Sequence, residues 1–314
     1  MATRKMTNAN PEMIGIDVGF GYTKVFPGNI VFPSVIADYQ ERMASIGQSD
    51  PLDNLVLEVN GRSYLVGNLA KKEGGSATFD KDNQQRHLVC MLTSIVLAAG
   101  GDYSGPVVMG LPMSDLQNKR REISLLKGTY DVVLSGDKYK IEITDVFVSP
   151  QGAAGFYDLI LNDEGKVVSN LAERKIGIID IGEKTLDFVV MDKSQFVMEK
   201  SGGMDLGMHK AYLRLLKTIQ TDLGISVMPY QVRDYEHKVS KAAENEYRRL
   251  ANEIVDGISA WWNYRDFDNI YLAGGGGLAL QKYVAERIKC DLIPEAQLSN
   301  ARGYFKCGQA AIEK

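Results

Sequence analysis

Two short segments of the sequence each place an aspartate at the end of an apolar run, with a glycine two residues later. Asp17 closes the first run and is followed by Gly19 and then Lys24, whereas Asp180 closes the second and is followed by Gly182. Glycine lets a backbone approach a ligand closely, and backbone N–H groups and an ammonium group both bind phosphate oxygens. Each Asp-x-Gly taken alone is also a common β-turn. Their recurrence on similar runs predicts two loops that bind one polyphosphate between them.

The same two aspartates are candidate magnesium ligands. A bare carboxylate would repel phosphate, but a carboxylate that orients a hydrated Mg²⁺ would attract it. Asp17 and Asp180 are therefore predicted to hold the ion, mainly through water.

A third candidate feature is the run Gly274–Gly277, which follows the apolar segment Ile270–Ala273. Four glycines at the start of a helix would let a flat base or an α-phosphate approach the helix N-terminus. A plain flexible connector is the alternative. The position of the glycine run directly after a predicted strand favours a ligand-binding role over a connector.

The elements that must position these loops occur twice. Period-two alternation predicts strands at Met13–Val18 and Tyr22–Phe26, and again at Ile176–Ile181 and Leu186–Met191. The segment Ile14–Gly19 is also matched in sequence by the segment from Gly177 to Gly182. Two related halves are predicted, and the polar stretch Asn162–Lys175 is the predicted connection between them.

Further elements follow from local signals. A hairpin is predicted around Asn60-Gly61, a dipeptide that adopts the positive φ angles of a tight turn. The remaining predicted elements are strands at Ile30–Phe32, Val107–Gly110, Gln195–Glu199 and Ile270–Ala273, a hairpin over Tyr130–Ile143, and helices over Leu88–Ala99, Ser114–Lys127 (with Ser114 or Asp115 as N-cap), Leu206–Leu223, Gln231–Trp262 and from about Gly277 onward.

Composition limits the class of protein. The chain has 314 residues, of which 45% are hydrophobic and 24% charged, so it can bury two cores of ordinary size. Its formal charge of −4 gives no general attraction to nucleic acid, so direct nucleic-acid binding is not expected. The three cysteines lack metal-type spacing, and no apolar segment is long enough to span a bilayer. We expect a cytoplasmic protein without membrane contact.

The motifs together resemble one superfamily. Ile14–Lys24, Ile178–Asp187 and Ile270–Gly277 resemble, in this order, the phosphate-one, phosphate-two and adenosine motifs of the actin, sugar-kinase and chaperone ATPases. Within it, the chain is most similar to prokaryotic actins of the plasmid-segregation (ParM) type and their archaeal relatives. The narrower likeness rests on the segments Phe32-Pro33-Ser34, Gly110-Leu111-Pro112, Pro150-Gln151-Gly152 and Asn300–Tyr304.

This resemblance implies the fold and the cofactors. The expected fold is α/β, an actin-like (ribonuclease H-like) duplicated two-domain fold with a nucleotide cleft between the domains. Domain I is expected to span residues 1–165, joined by the returning C-terminal helix 299–314, and domain II residues 166–298. The implied cofactors are ATP and Mg²⁺. GTP is left open because the adenosine motif contacts the base mainly through backbone and apolar surface.

The resemblance also assigns roles to single residues. Gln151 matches the position that orients the attacking water, Asp187 is the second choice for that role, and Asp180 completes the catalytic set. Asp205 either belongs to the ligand site or caps the following helix. Glu183 stands where the family has a small residue, so its side chain is expected to point away from the phosphates. The implied nucleotide contacts are Asp17, Gly19, Gly21, Tyr22, Thr23, Lys24, Gly182, Glu183, Lys184, Thr185, Gly203, Asp205, Gly207, Gly274, Gly275 and Gly276.

The function implied by the resemblance is ATP hydrolysis that controls a homopolymeric filament. The implied partners are further copies of the chain and a DNA-binding adaptor protein, in a plasmid-segregation or cytoskeletal role. Two alternatives use the same loops. One is a small-molecule kinase of the superfamily, and the other is a nonpolymerising actin-like scaffold of membrane, pilus or division systems.

Overall fold

The fold is known from a computed structural model that describes residues 11–39, 50–75, 83–113, 116 and 119–312. The strands are β1 Ile14–Val18, β2 Tyr22–Phe26, β3 Ile30–Pro33, β4 Ile36–Asp38, β5 Leu55–Val59, β6 Arg62–Val66, β7 Tyr103–Leu111, β8 Gly128–Leu134, β9 Asp137–Pro150, β10 Lys175–Ile181, β11 Leu186–Asp192, β12 Gln195–Phe196, β13 Gly202–Met204, β14 Asn269–Ala273 and β15 Asp291–Leu292. The helices are α1 Asn68–Lys72, α2 Asn83–Ala99, α3 Lys119–Leu126, α4 Ala153–Ile160, α5 His209–Leu223, α6 Val232–Tyr235, α7 Ser240–Ser259, α8 Gly274–Val284 and α9 Ser299–Ile312.

The strands form two sheets with the same internal order. The first sheet runs β3-β2-β1-β7-β9 and continues through β8, β5, β6 and β4, whereas the second runs β12-β11-β10-β14-β15, with β13 added beside β11. In the first sheet, β1 pairs antiparallel with β2 and parallel with β7. In the second sheet, β10 likewise pairs antiparallel with β11 and parallel with β14. The sequence echo therefore corresponds to a duplicated sheet topology.

Each sheet has its own apolar core. Helix α2 covers the first sheet with the fully buried side chains of Met91, Leu92 and Ile95, which fits the predicted buried helix. Helices α5, α7 and α8 cover the second sheet, and their core includes Tyr212 and Trp262. Burial of such aliphatic and aromatic side chains supplies most of the stabilisation of both layers.

Two helices join the sheets. Helix α4 packs through Phe156 on the second sheet, and α9 packs through Tyr304 beside Val108 of the first. Gly303 of α9 lies so close to α4 that a Cβ there would approach the carbonyl oxygen of Ala154 within 1.9 Å. An ionic group reinforces this contact, because the Asp158 carboxylate accepts hydrogen bonds from Arg302 at 2.7 Å and Lys306 at 2.9 Å.

Several predicted elements have different bounds. The third strand of the second half ends at Phe196 and is followed by a 3-10 turn, Met198–Lys200. The helix predicted over Gln231–Trp262 is divided into α6 and α7 by a 3-10 turn at Glu236–Val239. Helix α8 begins at Gly274 instead of Gly277, and α5 begins at His209 instead of Leu206.

The hairpin at Asn60-Gly61 is as predicted, with φ angles of 52° and 71°. The short elements β4, α1, β13 and β15 were not predicted, because elements of two to five residues carry too little periodicity. Ser114 and Asp115, the predicted N-caps, lie outside the described residues. Among the described residues, no helix is long and apolar enough to cross a membrane.

Candidate functional site

The ends of equivalent strands in the two sheets meet at one cavity. The turn between β1 and β2 contributes from the first sheet, and the turn between β10 and β11 together with the start of α8 contributes from the second. The lining residues are Asp17, Gly19, Phe20, Gly21, Tyr22, Lys24, Gln151, Asp180, Gly182, Glu183, Lys184, Thr185, Met208, Arg233, Gly274, Gly275, Gly276, Gln297 and Asn300. Most of the predicted contacts are therefore brought together.

The first loop is held by a tight turn and an ion pair. The Gly19 N–H donates to the Tyr22 carbonyl at 3.1 Å, and the Lys24 ammonium donates to Asp17 Oδ2 at 2.9 Å. Strand β2 alternates, so Tyr22 and Lys24 face the cavity, whereas Thr23 is fully buried and shares a hydrogen bond of 2.8 Å with Ser34. The side chain of Thr23 is a structural element of the first sheet, contrary to its predicted ligand contact.

A buried arginine supports this loop from behind. Arg86 of α2 donates from its Nη1 atom to the carbonyl oxygens of Phe20 at 3.1 Å and Ser34 at 3.2 Å. The sequence alone gave no signal for this residue, because it lies 66 positions from Phe20 along the chain.

The second loop carries a buried carboxylate. Asp180 is only 3% exposed, and its Oδ2 accepts a 2.7 Å hydrogen bond from the Asn300 amide of α9. Burial raises the pKa of Asp180 to about 6; the hydrogen bond from Asn300 and the charge of Lys24 oppose this rise, and Asp17 adds to it.

Two polar atoms close to the aspartates of the site are enclosed and unpaired. Within the described part of the chain, the Oδ1 atom of Asn300 and the hydroxyl of Tyr304 have no hydrogen-bond partner. Burial raises the pKa of Tyr304 well above its usual value, and the charges of Asp17, Asp180 and Asp187 add to this effect. Carboxylate, amide and hydroxyl oxygens are the donors that Mg²⁺ and its water ligands prefer. The donor set thus fits a hydrated magnesium ion, although no group of three or more His, Cys, Asp or Glu within the described ranges is placed to hold a metal directly.

The glycines at the start of α8 serve two purposes. A Cβ on Gly274 would lie 2.5 Å from Asp180 Oδ1, and a Cβ on Gly276 would lie 2.5 Å from Ile181 Cγ2. A Cβ on Gly275 would meet only Arg233 Nη2, at 4.0 Å. Gly274 and Gly276 therefore permit helix–strand packing, and Gly275 is the glycine with open space on the cavity side.

The two candidates for orienting the attacking water, Gln151 and Asp187, have different surroundings. Gln151 lines the cavity just before α4, and its N–H donates to the Leu111 carbonyl at 2.8 Å. Asp187 is 2% exposed and its Oδ1 accepts from the Met113 N–H at 3.3 Å, so it is a buried residue that does not line the cavity.

Residues 202–207 do not line the cavity. Gly203 pairs with Asp187 within the sheet, and Asp205 is exposed and pairs with Lys210 at 3.0 Å. Helix α5 begins four residues after Asp205 and has no side-chain N-cap, so the alternative capping role is wrong as well.

The start of α5 is instead bound to the second loop. The N–H groups of Gly207, Met208 and His209 donate to the carbonyls of Lys184 at 2.9 Å, Gly182 at 3.1 Å and Glu183 at 2.7 Å. These three donors are used within the protein, which corrects the predicted ligand contact of Gly207. Arg233, Asn300, Gln297, Phe20 and Met208 line the cavity without having been predicted to do so.

The position of Glu183 corrects another expectation. Its side chain lines the cavity, and a Cβ on Gly21 would lie 3.0 Å from its Oε2 atom. Burial raises the pKa of Glu183, whereas the charges of Arg233, Lys24 and Lys71 lower it. Glu183 therefore points into the cleft and contacts the opposite loop.

Comparisons with known proteins cover both halves. Residues 15–153 match the family described as the N-terminal domain of actin-like proteins. Residues 178–286 match the family described as the C-terminal domain of the archaeal, MreB-like actin homologue. Comparison with curated proteins finds no match.

Solved structures resemble the whole chain. A 15-stranded ParM filament from Clostridium botulinum has a TM-score of 0.81 and 25% identity, covering 96% of this chain and 99% of that chain. The archaeal actin homologue Ta0583 in complex with ADP has a TM-score of 0.74 and 19% identity, covering 97% and 100%. ParM from Bacillus thuringiensis with AMPPNP has a TM-score of 0.73 and 18% identity, covering 97% and 100%. At these last two identities the likeness concerns the fold alone.

Proposed function

We propose that this chain, whose two-domain fold and domain matches are those of actin-like proteins, is a nucleotide-regulated, filament-forming ATPase of the ParM type. It binds Mg-ATP in the cleft between the two sheets. Hydrolysis of the γ-phosphate then controls how long a homopolymer persists.

One observation carries this proposal. Two equivalent strand–turn–strand units, one from each sheet, converge on a single cavity with Lys24 on one side and Lys184 on the other. The N-terminus of α8 points at the same cavity, and its dipole favours an anion. Loops, ammonium groups and a helix N-terminus are the groups that bind polyphosphates.

The metal would be held by Asp17 and Asp180 through water. Asn300 and Tyr304 have enclosed oxygens beside these carboxylates that are suited to hydrogen-bond such water molecules. Bound Mg²⁺ would neutralise charge on the phosphoryl oxygens. Lys24 now pairs with Asp17, so on nucleotide binding its ammonium would be shared with a phosphate.

Hydrolysis needs a water in line with the γ-phosphorus. Gln151 is the best candidate to orient that water, because it lines the cavity and is fixed through its backbone at the entrance to α4. Asp187 is the weaker candidate, because it accepts a backbone hydrogen bond away from the cavity.

The proposed polymer is supported by the similarity of the whole chain to the filament-forming ParM of Clostridium botulinum. A head-to-tail contact repeats one heterologous interface and does not close. Closure of the cleft would change the angle between the sheets about α4 and α9, and so favour one filament state. An adaptor protein that links the polymer to DNA completes the proposed plasmid-segregation role.

Right-angle light scattering and pelleting with Mg-ATP, Mg-ADP or no nucleotide test the proposal, together with phosphate release. We expect polymer with Mg-ATP and phosphate release that follows assembly, and we expect neither in Asp180→Ala. A chain that binds ATP but forms no polymer in any nucleotide state across a broad concentration range would contradict the filament function. Transfer of phosphate to a small-molecule acceptor would instead favour a kinase.

A further inference from the structure

The carboxylate of Glu183 crosses the cleft from the second half to the first. Besides Oε2, its Cδ and Cβ atoms would lie 3.1 and 3.2 Å from a Cβ on Gly21. The absence of a side chain at Gly21 is what lets Glu183 pack against this loop. An anionic group of the protein thus lies against the loop that carries Lys24.

The charges of cations from three separate elements lower the pKa of Glu183, against the rise caused by burial. Lys24 belongs to β2, Lys71 to α1 and Arg233 to α6, and each favours the ionised form of Glu183. Two of the elements lie in the first half of the chain and one in the second. Glu183 therefore interacts electrostatically with both sides of the cleft at once, as a bound phosphate would.

The same cations close the mouth of the cleft. Arg233 lies over the Tyr22 ring at 5.6 Å and donates to the Tyr212 hydroxyl at 2.8 Å. Lys71 pairs with Asp234 of α6 at 3.2 Å. The pair is exposed on its Asp234 side and is worth little by itself, but together with the Arg233 contact it holds α6 against the first half.

The space left between the loops is small. The cavity has a volume of about 60 Å³, whereas sites for nucleotide-sized ligands have roughly 300–1,000 Å³. The space between the loops is thus small for a nucleoside triphosphate while Glu183 and α6 keep these positions. Binding requires that the carboxylate leave the first loop and that the two halves separate.

We propose that Glu183 is a tethered anion that holds the cleft closed by occupying the phosphate position, and that a nucleoside polyphosphate must displace it to bind. This inference rests on the proposed nucleotide binding and adds a competitor built into the chain. The measured dissociation constant then equals the intrinsic one divided by the fraction of molecules whose cleft is open. Glu183 thereby sets the nucleotide concentration at which the protein responds.

The test compares Glu183→Gln with the parent chain and with Glu199→Gln, a matched control at an exposed glutamate of the same half. Binding of Mg-ATP and Mg-ADP is followed by isothermal titration calorimetry. Removing the charge at nearly constant shape should tighten binding of both nucleotides by about tenfold or more, and Glu199→Gln should bind as the parent does. Glu183→Ser, which removes the side chain from the cleft, should also tighten binding.

A second measurement needs no ligand. Hydrogen exchange of the free protein should be faster at residues 68–72 and 232–235 in Glu183→Gln, because α1 and α6 lose the anion that they share. Circular dichroism establishes that each variant is folded before either comparison.

The outcomes separate the two claims. Tighter binding in both Glu183 variants supports the tethered anion. Equal or weaker binding in both folded variants overturns it and leaves nucleotide binding intact. If neither the parent nor any variant binds nucleotide, the proposed function fails and the inference fails with it.

Discussion

The Asn300 amide of α9 donates to Asp180 Oδ2 across 2.7 Å, and so ties the last helix of the chain to the cleft floor of the second sheet. This hydrogen bond and the charge of Lys24 partly compensate for the burial of a carboxylate that is only 3% exposed. Its pKa remains raised, to about 6, because burial outweighs the hydrogen bond. The folded protein thus keeps an ionised Asp180 at neutral pH at a cost in stability.

Asp180→Asn should therefore stabilise the nucleotide-free protein while abolishing binding of Mg-ATP. Because the pKa of Asp180 is raised in the folded protein, the free energy of unfolding of the parent decreases as the pH increases through about 6. The stability gained by Asp180→Asn should therefore be present at pH 7.5 and absent at pH 4. A shift of this size corresponds to about 3 kcal/mol at most. Urea unfolding at both pH values measures it. A variant less stable than the parent at pH 7.5 would show that Asp180 is favourably paired instead.

Gln151→Ala should keep nucleotide affinity within about twofold and slow phosphate release by about 10- to 100-fold. The side chain is proposed to orient water and not to hold phosphate. Filaments of this variant should consequently persist longer after ATP is exhausted. Single-turnover phosphate release and light scattering measure the two effects. Equal turnover in the variant and the parent would remove Gln151 from this role.

Gly275→Ala and Gly276→Ala form a matched pair within the first turn of α8. The methyl group at 276 would meet Ile181 Cγ2 at 2.5 Å, so Gly276→Ala should lower the free energy of unfolding by about 1–3 kcal/mol. The methyl group at 275 meets only Arg233 at 4.0 Å, so Gly275→Ala should be neutral or stabilising by up to about 1 kcal/mol. Since it enters the cavity, it should nevertheless weaken nucleotide binding. Equal stability losses in the two variants would contradict the assignment.

His87 should make the protein sensitive to acid. Burial, with a contribution from Arg86, lowers the pKa of His87 to about 4 against the opposing charge of Asp17, and its Nε2 atom has no hydrogen-bond partner among the described residues. Below pH 6.5 the unfolded chain binds a proton that the folded chain does not bind until about pH 4. The free energy of unfolding should therefore fall by about 3 kcal/mol as the pH decreases from 6.5 to about 4.

His87→Gln should remove most of that pH dependence, as measured by urea unfolding at pH 4.5 and 7.5. His237→Gln, at an exposed histidine, is the control and should keep it. The prediction is wrong if both variants lose stability equally between the two pH values.

Much of the fold could be predicted because strong local signals agreed with it. The bounds of β2, Tyr22–Phe26, match the prediction because clear alternation ends at a turn on each side. The repeated Asp-x-Gly motif predicted a duplicated unit, and the two sheets share its strand order. Short elements such as β13, with three residues, have no period to detect.

The candidate site was predictable only where a motif carried it. Arg233 and Arg86 reach the two loops from distant helices, so no spacing in the chain indicates them. Thr23 was assigned to the ligand although the alternation of β2 places it opposite Tyr22 and Lys24, a signal that was available. The expectation that the Glu183 side chain points away from the phosphates rests on the repulsion between carboxylate and phosphate alone. Lys24, Lys71 and Arg233 supply the attraction that reverses this.

The hydrogen bonds between the second loop and α5 give that helix a mechanical role. Gly207, Met208 and His209 donate to three successive loop carbonyls, so the loop and the helix must move together. Helix α5 has 15 residues and therefore extends about 22 Å at about 1.5 Å per residue. A tilt of the loop by a few degrees is thus converted into a displacement of an ångström or more at Leu223. If the loop binds phosphate as proposed, gain or loss of that phosphate would therefore shift the far end of α5.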